Sequence, residues 1–335
     1  MTKTRSHKLL VVGVGSIGER HLRCFQQTGR CELAFCEPHD KLREAISQQY
    51  GVSSVFASVQ DALDQGKYDA AVIATPAPLH VPISNQLAQA GCHLLIEKPL
   101  GTSLDGIDAL RNTIAKQSLC VAVGYVQRAH PALQAVKEAI DSRRFGQPLQ
   151  VKVSLGHPFK HFRPAYRDIY FARHEEGGGA IQDGLTHFYN SIEWLVGPAD
   201  RLVTDAAHQQ LEGVTVEDTV HSLVRHGNVL ASYAMNMYEP SNDSTCTVVC
   251  DSGTVQCDFR RLRWSWIQEP AGAWNHQSVE VADRDALYII QANVFLDSIE
   301  GRTNPLCTLD EAVQTLRVNL ASLRSVAEGS WQVVQ

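Results

Sequence analysis

The sequence predicts an α/β chain in two parts: a doubly wound parallel sheet with crossover helices over residues 1–123, and an α+β domain with a large, open, mainly antiparallel sheet over 124–335. Three observations carry this. Up to residue 123, short apolar runs alternate with helical patterns, which is how strands buried on both faces and joined by helices read. Beyond 124, apolar and polar residues alternate along segments joined by short turns, as in a sheet with one face on helices and the other in water. A chain of 335 residues is also long enough for two cores.

The elements follow in order. "KLLVVGVG" is a buried strand ending in a glycine turn, and "IGERHLRCFQQTG" is an amphipathic helix stopped by Gly29. Strand "CELAFCE", helix "DKLREAISQQYG", strand "VSSVF" and helix "VQDALDQG" come next, then strand "YDAAVIAT" and helix "PLHVPISNQLAQAG". Strand "CHLLIEKP", helix "SLDGIDALRNTIAKQ" and strand "LCVAVGY" complete a six-stranded unit. The second part opens with helix "PALQAVKEAIDSRRFG" and strand "LQVKVSLG", followed by an aromatic and charged segment, "HPFKHFRPAYRDIYFARHEEGGG". A helix over "AIQDGLTHFYNSIEWLVG" leads to strands "VEDTVHSLVRH", "NVLASYAMNMY", "STCTVVCDSG", "TVQCDFRRLRWSWIQE" and "HQSVEVA", and two helices close the chain.

A net charge of −6 leaves no electrostatic footprint for nucleic acid or an anionic membrane, and no apolar run reaches the length of a membrane helix, so a cytoplasmic small-molecule protein is expected. Interleaved arginines and tryptophans in "FRRLRWSW" read as a strand with one packed face, not as a nucleic-acid surface. The nine cysteines form no CxxC pair and read as reduced, apolar core residues. His157 and His161 have the look of a metal pair, but no third ligand accompanies them, and no metal is expected.

Chemistry gathers at the strand ends. "GVGSIG" follows a strand and opens a helix, so Gly13, Gly15, Ser16, Ile17 and Gly18 suit a pyrophosphate resting on a helix N-terminus. Glu37 ends the next strand, where a carboxylate accepts hydrogen bonds from both ribose hydroxyls and repels a 2′-phosphate. NAD is therefore expected over NADP, although Arg20, Arg23, His39 and Lys41 lie close enough in sequence to accommodate a phosphate. "ATPAPLH" places Thr75, Pro76 and His80 on the same sheet edge as cofactor contacts. "IEKPLG" adds Glu97 and Lys98, whose ammonium is a fixed donor for an oxygen whose charge changes during hydride transfer. Asp183 and His187 sit four apart on one helix, after three glycines, a polar pair suited to a pocket rim.

Carried by "GVGSIGERH", "ATPAPLH", "EKPL", "GYVQRAHP" and "GGGAIQDGLTHFYNSIEWLVG", in that order, the whole chain resembles the Gfo/Idh/MocA family of oxidoreductases, which includes glucose–fructose oxidoreductase and inositol dehydrogenase. The resemblance implies an N-terminal Rossmann domain, a cis Lys98–Pro99 peptide bond, and a C-terminal α+β domain whose free sheet face joins a homodimer or homotetramer. It also implies that Lys98, Asp183 and His187 line a pocket facing the nicotinamide. His187 would exchange a proton with the substrate hydroxyl, a task suited to imidazole. Asp183 would orient it or hold a neighbouring hydroxyl, and Lys98 would stabilise an alkoxide. Tyr125 and Arg128 would touch cofactor or substrate. The segment with Arg163, Tyr166, Arg167, Tyr170 and Arg173 resembles the substrate loop of a branch acting on sugars and sugar acids. The expected function is hydride transfer between a sugar, cyclitol or sugar-derivative hydroxyl and NAD(P). Two alternatives stay open on sequence: an enzyme holding NAD tightly for transient oxidation in glycoside cleavage or epimerisation, and a non-catalytic dinucleotide-binding regulator.

Overall fold

The structure, a computed structural model, describes residues 6–335. Two compact units emerge, one comprising residues up to Val126 with Asp283–Leu309, the other Gln127–Ala282 with Asp310–Gln335. The single boundary near 124 read from the sequence does not capture this interleaving.

In the first unit the chain runs β1 (His7–Val12), α1 (Ser16–Thr28), β2 (Cys31–Cys36), α2 (Asp40–Tyr50), β3 (Val55–Phe56), α3 (Val59–Gln65), β4 (Ala70–Ile73), α4 (His80–Gln89), β5 (His93–Ile96), α5 (Ile107–Gln117) and β6 (Val121–Val123). The strands form a six-stranded parallel sheet in the order β3-β2-β1-β4-β5-β6. Consecutive apolar side chains at Leu9–Val12 and Ala70–Ile73 are buried because helices cover both faces. The order reverses between β1 and β4, and ligands of open α/β sheets bind in the crevice at the carboxyl ends beside such a switch.

The second unit contains α6 (Pro131–Asp141), β7 (Pro148–Gly156), α7 (Phe159–Phe162), α8 (Thr186–Val196), β8 (Arg201–Ala207), β9 (Thr219–His226), β10 (Val229–Asn236), β11 (Ser244–Cys250), β12 (Gly253–Asp258), β13 (Arg263–Ile267) and β14 (Asn275–Ser278). Helix α9 (Ala286–Ile299) returns to the first unit. Its Phe295 ring meets Phe25 of α1 edge-on at 6.3 Å, and Arg23 donates to both carboxylate oxygens of Asp285 at 2.5 and 2.8 Å. Burial of Phe25, Ala292, Phe295 and Leu296 explains why this segment belongs to the sheet that precedes it by half the chain.

Helix α10 (Leu309–Glu328) and β15 (Gln332–Val333) complete a nine-stranded sheet, β14-β13-β12-β11-β7-β10-β9-β8-β15. Only β7 and β10 pair in parallel. Val151, Val220, Val224, Ala231 and Val248 point into a core shared with Leu133, Val136, Ile192 and Val318 of the helices. The alternate positions His221, Leu223 and Leu230 are exposed, as period-two patterning requires. Strand β8 was not read from the sequence, and the run "TVQCDFRRLRWSWIQE" is two strands, β12 and β13, turning at Leu262 with φ 49°. None of the nine cysteines forms a disulfide, and burial raises the thiols of Cys24 and Cys36 to about 12. Among the described residues no helix is long and apolar enough to cross a membrane.

Candidate active site

Four strand ends of the first unit bring its chemistry together. A Cβ on Gly18 would lie 1.9 Å from the Gly13 carbonyl oxygen, so only glycine lets α1 start this close to the turn after β1. Around Gly15, exposed at the helix start, a Cβ would meet nothing within 4 Å. No side chain caps α1, leaving its first amides to a ligand or solvent. Glu37 follows β2 only 5 % exposed, its carboxylate accepting from Val14 N at 3.2 Å and His39 N at 3.1 Å. After β4, Thr75 Oγ1 is buried with no hydrogen-bond partner among the described residues. An open helix N-terminus, a carboxylate beside the glycine turn and an orphaned hydroxyl at the switch point fit a dinucleotide.

Behind this edge lies a polar frame. His80 is 2 % exposed, with its ring nitrogens 2.8 Å from the carbonyl oxygens of Thr75 and Pro99. Carbonyls only accept, so a neutral ring satisfies one of them and an imidazolium both. Burial, aided by the Lys98 charge, lowers the His80 pKa against the pull of the two carbonyls and Glu97. His80, read from the sequence as a cofactor contact, thus faces backbone with both nitrogens and, as a neutral ring, donates to one of the two carbonyls, packed between the loop after β4 and the loop after β5. Exposed Pro76 lies in the first of these loops. His21 of α1 donates to Glu97 at 2.6 Å, and the other Glu97 oxygen accepts from Lys98 N at 3.0 Å. Burial would raise the Glu97 pKa, but His21's hydrogen bond and charge, with Lys98, hold it below the usual range. The Lys98–Pro99 bond is cis, and Lys98 is half-buried.

In the second unit the glycine run has a structural answer. Gly177 and Gly179 have φ of 87° and 83°, and a Cβ on Gly178 would come within 2.3 Å of the Phe171 carbonyl oxygen. The run opens not into a regular helix but into a π-helical turn, Ile181–Leu185, that continues as α8. Asp183 sits in this wider turn and His187 at the start of α8, both half-buried. Such turns are frequent at functional sites because they re-aim side chains within a helix. Tyr170 donates to Asp183 Oδ1 at 2.6 Å, joining the aromatic segment to this pair. His157, which the sequence reading did not place here, feels the Asp183 charge, yet burial keeps its pKa low.

Other expected substrate contacts do different work. Arg128 is 1 % exposed, its Nε donating to Asn190 Oδ1 at 2.7 Å and Nη1 to Glu311 at 2.5 Å, so it fastens α8 to α10. The Arg128→Met variant is expected to lose about 2 kcal/mol of stability, most of it from the buried charged hydrogen bond to Asn190. Glu311, two-fifths exposed, is screened by solvent and adds little. Chemical denaturation measures this, and an unchanged midpoint would remove Arg128 from the fastening role. Tyr166 is 1 % exposed and donates to the Glu212 carbonyl at 2.7 Å, and Arg167 donates to the same oxygen at 2.7 Å. Both anchor the segment; Tyr166 has its hydroxyl committed there, while the exposed Arg167 keeps part of its guanidinium in solvent. Arg173 pairs with Glu176 through two contacts of 2.8 Å. Arg163 and Tyr170 are exposed, and Tyr125 is buried in the first unit.

Known proteins give the family. Residues 7–125 match the model of an oxidoreductase family with an NAD-binding Rossmann fold, and residues 133–256 match the GFO/IDH/MocA C-terminal domain. A UDP-N-acetylglucosamine 3-dehydrogenase of Acidithiobacillus ferrooxidans is 31% identical over 94% of both chains. An inositol 2-dehydrogenase of Rhizobium meliloti is 27% identical over 59% of this chain and 57% of its own. The WlbA dehydrogenase of Bordetella pertussis, solved with NADH and UDP-GlcNAcA, superposes with a TM-score of 0.83 over 99% of both chains at 24% identity, a likeness of fold. With both of its halves matched, the chain belongs to the Gfo/Idh/MocA family of NAD-binding oxidoreductases.

Proposed function

We propose that this protein is an NAD-dependent dehydrogenase that oxidises a hydroxyl of a sugar derivative, and that the sugar is carried on a uridine diphosphate. The observation that carries the reading is the 31% identity, running through 94% of both chains, to a UDP-N-acetylglucosamine 3-dehydrogenase. An exposed guanidinium at Arg163, in the segment whose Tyr170 reaches Asp183, is chemically suited to a diphosphate.

Gly13, Gly15, Ser16, Ile17 and Gly18 hold the pyrophosphate, Glu37 the adenosine ribose, and Thr75, Pro76 and Glu97 support the nicotinamide half. Bound NAD supplies the acceptor for the hydride leaving the alcohol carbon. His187 takes the hydroxyl proton on its imidazole. Lys98 stabilises the oxygen as negative charge develops on it. Asp183, held by Tyr170, orients a neighbouring hydroxyl or the imidazole itself. Arg163 contributes to substrate binding, whereas Tyr125, 1 % exposed, does not reach it.

The test is to supply UDP-N-acetylglucosamine, myo-inositol and free sugars with NAD or NADP and follow reduced nicotinamide by absorbance. Turnover of the UDP-sugar with NAD is expected, and turnover of inositol alone would overturn the substrate class. Glu37→Ala is expected to relax the preference for NAD over NADP by roughly fivefold or more, since one close carboxylate–phosphate repulsion is worth at least about 1 kcal/mol. An unchanged ratio of the two affinities would remove Glu37 from the ribose site.

A further inference from the structure

Glu217, two residues before β9, is 7 % exposed and has no part in the roles assigned above. Its Oε1 accepts from Ile181 N at 2.8 Å, the first amide of the π-helical turn, and its backbone oxygen accepts from Ala180 N at 3.0 Å. Its Oε2 meets His174 Nε2, which belongs to the aromatic segment. A Cβ on Gly179 would lie 2.5 Å from this carboxylate, so the third glycine is the space through which Glu217 reaches the helix start. Gln182 adds a second tie, donating to the His174 carbonyl at 2.9 Å.

We propose that Glu217 is a positioning residue that sets the π-helical turn carrying Asp183 and locks the Tyr170-bearing segment to it, so that both sides of the substrate site are held by one carboxylate. A buried acceptor at a helix start satisfies amides that the helix cannot, and a negative charge there is favoured by the helix dipole. The hydrogen bond to Asp183 from Tyr170 spans the two pieces Glu217 joins, so losing the reach of its side chain to Ile181 N and His174 frees them to move apart. The catalytic consequence rests on the function proposed above; the structural one does not.

The variants Glu217→Gln, Glu217→Asp and Glu217→Ala separate reach from charge. Glutamine keeps an oxygen for Ile181 N and an NH₂ for a neutral His174, whereas aspartate keeps the charge and loses one methylene of reach. Amide hydrogen exchange is read on the 180–187 stretch of the full-length protein, beside thermal unfolding, NADH affinity by fluorescence, and kcat and KM with UDP-N-acetylglucosamine. The aspartate and alanine variants are expected to exchange roughly tenfold faster or more across 180–187. Their kcat is expected to fall by about tenfold to a hundredfold with NADH affinity unchanged. Glutamine is expected to restore both. If exchange in the aspartate variant matches wild type, or glutamine is as damaging as alanine, the proposal is overturned. If alanine prevents folding, the aspartate–glutamine contrast still decides. If exchange behaves as expected while the wild-type protein leaves the UDP-sugar untouched, the substrate reading fails and the positioning role stands.

Discussion

Turnover in a His187→Ala variant is expected to fall by roughly 10² to 10⁴, the usual loss when a general acid–base group is removed. The argument is chemical: an alcohol carbon gives up hydride readily only as its hydroxyl loses a proton, and imidazole titrates near working pH. His187 lies in the first turn of α8, after the turn that carries Asp183, where helical packing fixes its backbone. Because the dinucleotide motif lies on other elements, NADH affinity is expected to stay within a few-fold of wild type. Stopped-flow turnover with a fluorescence titration of NADH separates the two. A collapse of NADH affinity, or turnover within a factor of two of wild type, would place the proton transfer elsewhere.

The second large effect is expected at Gly18. Alanine there forces a Cβ to 1.9 Å from the Gly13 oxygen and 2.8 Å from its carbonyl carbon, both backbone atoms that no rotamer change relieves. Overpacking of this kind costs about 1–3 kcal/mol. If the glycine turn shifts to relieve it, NADH binding weakens by roughly fivefold to more than a hundredfold. Gly15→Ala is the informative contrast, since its Cβ meets no protein atom within 4 Å. That variant is expected to keep its thermal stability and still bind NADH more weakly, because the methyl group takes space a pyrophosphate needs. Equal NADH affinity in all three proteins would show that the dinucleotide does not rest on this turn.

Much of the first unit was legible because its strands are buried on both faces and read as unbroken apolar runs, and because "GVGSIG" has a backbone meaning only between a strand and a helix. In the second unit, alternation revealed β7, β9, β10 and β11. Strand β8, "RLVTDAA", escaped because small and polar residues blur its period. The turn between β12 and β13 escaped because Leu262, with φ 49°, stands where a glycine would have marked it. The extra residue of the π-helical turn leaves no mark on a pattern of period 3.6. Local reading failed most clearly for long polar side chains. Arg128 and Glu217 look like surface charges, and their buried partners at Asn190 and Ile181 are 62 and 36 residues away. Nothing local marks Glu217: in "VTVEDTV" it stands beside Asp218 among alternating polar residues, as on a solvated strand.

The return of α9 to the first unit bears on how the chain is made. A ribosome delivers the six parallel strands early, but Phe295 and Leu296, which share a core with Leu22 and Phe25, emerge only after β7–β14 have been made. Until then the outer side of α1 lacks its apolar cover, and Arg23, Arg30 and His7 lack the carboxylates of Asp285 and Glu300. N-terminal domains ordinarily finish folding while synthesis continues. Here the helix that opens at the glycine motif is completed by a segment made only after β7–β14, so a nascent chain cut short after β6 leaves a sticky nucleotide-binding half for chaperones and proteases to find.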